Sequence, residues 1–172
     1  MSVNDDDVKS RIEREKAEES AALDIIDKYV ERPKMFGKES IVKAIKQMEA
    51  VKKSIPKIKK AIAEDRALLK KPTFHADDIK ERIKTKKRQL SNAINNEPND
   101  CSLQIGYPFL RAARAAERSG NDADKQQLAE QALKYFTRAI TVTDDMEKLS
   151  NDRKESKVSH LLYRIQTYDL MD

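Results

Sequence analysis

The chain has 172 residues but only three glycines, one cysteine, two histidines and no tryptophan. The glycines stand singly at Gly37, Gly106 and Gly120, so neither GxGxxG nor a GxxxxGK loop can be written anywhere. Loops that cradle phosphates need bare backbone N–H groups at close approach, so no standard nucleotide loop is expected. Turn residues are too scarce for an all-β or doubly wound fold. No apolar run approaches the roughly 20 residues of a membrane helix. The opening MSVNDDD lacks the basic and apolar regions of a secretory leader, and the N-myristoylation and prenylation patterns are missing. Cys101 has no second cysteine to pair with. These features predict an intracellular, cytoplasmic protein, with a peripheral place at membranes as the alternative.

The residues that carry chemistry are equally sparse. His75 and His160 are far apart, and neither HExxH nor CxxC occurs. A metal site would lack its usual ligands, and no cofactor is expected. Both histidines are read as ordinary surface residues. Cys101 is read as a loop or buried thiol, since no histidine lies near it in sequence. The paired acids Asp77-Asp78, Asp122/Asp124 and Asp144-Asp145 fit helix caps and first or last turns. Asp5-Asp6-Asp7 lacks the spacing of a calcium loop. The expectation is a protein without catalytic, cofactor or metal residues.

Charged residues make up 38% of the chain, and Lys, Glu, Ala, Leu, Arg and Gln dominate. That is the composition of long helices, and an all-α fold is expected. The charge is uneven. Residues 1–33 carry 6 basic and 10 acidic side chains, residues 34–90 carry 18 and 7, and residues 91–172 carry 11 and 13. Pro33 with Gly37, and the run Asn95 to Asp100, are the strongest breakers. The expected organisation has four parts. Residues 1–33 form an acidic, partly disordered N-terminal helix. Residues 34–96 form a basic helical hairpin, 97–101 a linker, and 102–172 a three-helix bundle, the whole elongated.

Within the hairpin, Ile41, Ala44, Met48, Val51, Ile55, Ile58 and Ile62 alternate at spacings of three and four, and Leu69 follows seven residues later. This is a heptad seam. It makes a homodimer through residues 41–69 plausible. Asp65 interrupts the seam, and Pro56 predicts a kink or break. The lysines on the opposite face offer an anion-binding surface, with Lys53, Lys57, Lys60, Lys84, Lys87 and Arg88 as its candidate residues. Such a surface would suit nucleic acid or an anionic lipid headgroup. Residues 34–90 hold only Phe36 and Phe74 as aromatics, and lysines outnumber arginines 15 to 3. Base stacking and base-edge reading are therefore not expected there.

Residues 103–171 resemble the microtubule-interacting and transport domain, a three-helix module, and share the helical-hairpin packing of tetratricopeptide repeats. The resemblance is carried by Ala112-Ala113-Arg114-Ala115-Ala116 before Gly120, by Ala132 to Ile140, and by Arg153-Lys154-Glu155 followed by Leu162-Tyr163-Arg164-Ile165. It implies a recruitment module that takes a helical peptide between its second and third helices. On this chain that groove would be lined by Tyr135, Ala139, Val142, Leu161, Leu162 and Ile165, with Arg164 as the charge partner. The leading expectation is a non-enzymatic adaptor or assembly subunit that recognises a protein helix. The alternatives are an electrostatic binder of nucleic acid or anionic membrane through residues 43–88, and a structural part of a viral or secretion assembly.

Overall fold

The computed structural model describes residues 4–146 and 151–172. Every regular element among them is helical. In order they are α1 (Asp5–Ile26), a 3-10 turn at Asp27–Tyr29, the single turn α2 (Pro33–Phe36), α3 (Lys38–Leu69), α4 (Ala76–Asn99), a π-helical segment at Asp100–Gly106, α5 (Tyr107–Arg118), α6 (Asp122–Asp144) and α7 (Asn151–Met171). The chain divides into two compact units. One is residues 45–97, and the other joins the residues up to Ala44 with those from Pro98 on.

In the larger unit, α5, α6 and α7 form the expected bundle, and α1 adds a helix to it by packing on α6. The N-terminal segment therefore belongs to this bundle. Only the C-terminal part of α1 is apolar enough to dock, and Ala22, Leu23 and Ile26 are its buried residues. The start of α3 is tied to the same unit. Asp27 Oδ1 accepts from the Lys38 backbone N–H at 2.9 Å, and Lys38 Nζ donates to Asp24 at 2.8 Å. The core is built of Phe109, Leu110, Leu128 and Phe136, with Ala112, Ala113, Ala116, Ala129, Ala132 and Ala139 between them, all fully buried. Alanines on facing sides let the helices approach and give the phenyl rings room to interdigitate. Gly120, at φ 75°, ends the α5 turn in the left-handed region that glycine tolerates. The Asn121 side chain then caps α6 by accepting from the Asp124 backbone N–H at 3.0 Å.

The breaker run Asn95 to Asp100 does not produce the linker expected at 97–101. Pro98 lies inside α4 and is fully buried, and the chain widens to π spacing over Asp100–Gly106. A proline removes one main-chain hydrogen bond, and a π segment is one way a helix absorbs such a defect without ending. The segment buries Cys101, Ser102, Ile105 and Gly106. At Gly106 an added Cβ would stand 2.8 Å from the Phe136 ring. The Gly106→Ala variant is expected to lose roughly 1–3 kcal/mol through overpacking. Thermal unfolding followed by circular dichroism reads this as a drop of about 2–4 °C per kcal/mol.

In the smaller unit, α3 and α4 form the hairpin. Ile62 packs with Ile79 and Ile83, and Ile58, Leu69 and Leu90 pack against them. This stretch of the heptad seam is thus filled within the chain and is not free for a second copy. Helix α3 passes through Pro56 without a break.

Candidate functional site

Helix α7 buries two polar side chains against the bundle. His160 and Thr167 are buried, at 2% and 0% exposure. Beside them Tyr163 docks its ring 5.3 Å from Phe136 and 5.5 Å from Tyr107. Arg114 donates to Gln166 Oε1 at 2.6 Å, and Gln126 donates to the Met171 carbonyl at 2.7 Å. On the other side Val158, Leu162 and Ile165 are 54%, 52% and 55% exposed. At 3.6 residues per turn these three lie within an arc of about 60°. Leu161, half-buried, and Tyr168, half exposed, extend the row on one side. A helix in a globular unit ordinarily buries its apolar stripe and exposes its polar face. In α7 an apolar row is left in water, next to the exposed charges Lys154, Glu155 and Asp169.

The groove expected between α6 and α7 is rearranged. Tyr135 and Ala139 are buried in the interior. Tyr135 stacks on Phe109 at 6.4 Å and donates through its hydroxyl to Glu19 of α1 at 2.6 Å. Burial, and then the Glu19 carboxylate, push this phenol far above its ordinary range. Lys134 donates to the same Glu19 at 2.8 Å. Docking of α1 on α6 therefore engages Tyr135, one of the expected contact residues. Val142, Leu161 and Arg164 are half-buried, and Leu162 and Ile165 face solvent. Val158 and Tyr168, exposed on the same helix, lie outside the set expected from the sequence. The spacing of four and three from Val158 through Leu162 to Ile165 was the available signal.

His160 is not a surface residue. Its Nδ1 lies 2.6 Å from Ser102 Oγ, and its Nε2 has no hydrogen-bond partner among the described residues. Burial pulls its pKa below the usual imidazole range. His75, by contrast, is exposed, with Nδ1 3.8 Å from Asp78.

The candidate anion-binding residues Lys53, Lys57, Lys60, Lys84, Lys87 and Arg88 are all exposed. Residues 45–97 carry 15 basic and 7 acidic side chains, a net of +8, and the rest of the chain carries 20 and 23, a net of −3. Lys84 and Lys87 share a cleft of about 430 Å³ with Arg66, Lys80, Leu69 and Ile83. Lys86, in the same basic run, is neutralised. Asp65, only 5% exposed, accepts from Lys86 at 2.7 Å and from Arg82 at 2.8 Å. The Lys86 ammonium, followed by the Arg82 guanidinium, holds the Asp65 carboxyl below its usual range against the opposing effect of desolvation. The apparent flaw in the heptad seam is thus an ion-pair hub.

Among the described residues no group of three or more His, Cys, Asp or Glu side chains is placed to hold a metal ion. No described helix is long and apolar enough to cross a membrane. Comparisons with protein-family models, with curated proteins and with solved structures find no match to this chain.

Proposed function

We propose that this chain is a non-enzymatic adaptor that docks an amphipathic helix of a protein partner on the outward face of α7. The observation that carries the reading is the exposed apolar row Val158, Leu162 and Ile165 on a helix that buries His160 and Thr167. Apolar anchors at i, i+4 and i+7 are the pattern by which one helix reads another. Arg164 beside the row has no carboxylate partner among the described residues, so an acidic flank on the partner helix complements it. The resemblance of residues 103–171 to a recruitment module points the same way. The docking face differs from the one that resemblance implies, because Tyr135 and Ala139 are buried in the interior.

A second reading rests on the hairpin, whose charge of +8 and cationic cleft suit a polyanion. Salt separates the two. Capture of a protein partner by the full chain should persist from low to high salt, whereas polyanion binding should fall steeply. If all capture vanishes at high salt and only nucleic acid or anionic vesicles are bound at low salt, the adaptor reading fails. The Asp65→Leu variant sharpens the second arm. Releasing Arg82 and Lys86 is expected to steepen the dependence of log K on log salt by about 1–2, read by titrating duplex DNA at several salt concentrations. The hairpin should stay helical, because leucine continues the seam.

A further inference from the structure

A second cleft lies in the larger unit, where the 3-10 turn and α2 meet α5. It has a volume of about 400 Å³, and Arg32, Arg111 and Arg118 all line it. Phe36, Met35 and Tyr29 supply its apolar wall. The Arg111 guanidinium sits 4.7 Å from the centroid of the Phe36 ring, and the Tyr29 hydroxyl is held by Asp124. Glu31 at the same rim leaves a net of two positive charges.

Three features point to a ligand. The arginines are unneutralised: among the described residues none of the three has a carboxylate partner, while Lys38, Lys125 and Lys134 of the same unit are each paired. Their gathering is local, since this unit is acidic overall. The cleft also has the size of a small-molecule site rather than of a groove for a helix. Guanidinium forks match phosphate oxygens in pairs, and an aromatic and thioether wall accepts a flat apolar body.

We propose that the meeting of Arg32, Arg111 and Arg118 with Phe36 and Met35 forms a binding site for a small phosphate ester with a planar body, of the nucleoside diphosphate class. The arginines take the phosphates in place of a glycine loop, and the aromatic wall takes the base. The site lies apart from the α7 face and does not depend on it.

The test is calorimetric titration of the full chain with adenosine diphosphate, inorganic pyrophosphate and adenosine. The expected result is one saturable site for adenosine diphosphate. Pyrophosphate should bind roughly tenfold or more weakly, and adenosine not detectably. Arg32→Gln and Arg118→Gln, both exposed side chains, should each weaken binding by roughly tenfold or more with helix content unchanged. The paired variant Lys84→Gln/Lys87→Gln should bind as the parent does. The proposal is overturned by an absence of saturable binding, by binding that survives both arginine variants, by binding lost in the hairpin variant instead, or by pyrophosphate binding as tightly as the nucleotide.

Discussion

Replacing Leu162 and Ile165 together with glutamate should abolish partner capture and leave the fold intact. Both side chains are more than half exposed, and neither belongs to the buried core. Exposed positions of this kind usually change stability by no more than about 0.5 kcal/mol. Thermal unfolding of the variant should therefore match that of the parent. Binding should respond very differently. An apolar anchor at the centre of an interface is worth about 2 kcal/mol or more, roughly thirtyfold in affinity, and a carboxylate forced into the same contact adds a desolvation cost. Direct binding measurements with the captured partner should show loss beyond detection. Unchanged affinity would mean that the α7 row is exposed without being used.

Acidification should loosen the same platform from the inside. His160 anchors α7 against Ser102 of the π segment, and its buried Nε2 has no acceptor among the described residues. The imidazolium carries an N–H on both nitrogens, so protonation would leave one donor buried and unmet. The sign follows from the lowered pKa. The unfolded chain takes up this proton near pH 6.5, before the folded chain does. Stability is therefore full above about pH 6.5 and is lost as pH falls from there toward the depressed folded value. One proton limits the slope to about 1.4 kcal/mol per pH unit. Denaturant unfolding between pH 7.5 and 5 should show this slope in the parent and a flatter profile in His160→Leu. Equal slopes in the two proteins would assign the acid sensitivity to other groups.

Much of the helical framework can be read from local pattern. The three-and-four spacing through Ile58 and Ile62 marks the buried side of the hairpin, and Gly120 with Asn121 marks the turn into α6. These features repeat within a few residues, which is the range over which sequence patterns are legible. What stayed hidden depends on partners far along the chain. Glu19 and Tyr135 are 116 residues apart, and nothing near either one foretells their hydrogen bond. His160 looks like a surface residue until Ser102 is placed beside it. Asp65 looks like a fault in a seam until Arg82 and Lys86, four residues apart on α4, are seen to converge on it. That pair was a usable clue, because an acid at a seam position calls for cations on the facing helix. The breaker run at Asn95 to Asp100 misleads because turn propensity assumes exposure, and Pro98, Cys101 and Ser102 are all buried. The α7 site was half legible. Its apolar positions are evident in sequence, but their outward direction follows from which residues face α6, and periodicity alone does not choose between two faces.

The most direct measurement places a photo-crosslinking residue at Ile165 in the full chain, with a second version at Lys80 on the hairpin as comparison. The protein is irradiated in native extract at high salt, and the products are identified by mass spectrometry. A docking role for α7 requires a single predominant adduct from position 165, mapped to an acidic amphipathic helix of another protein and absent from position 80. An extract that gives no adduct at position 165, or one in which position 165 links only to a second copy of the same chain, would contradict it.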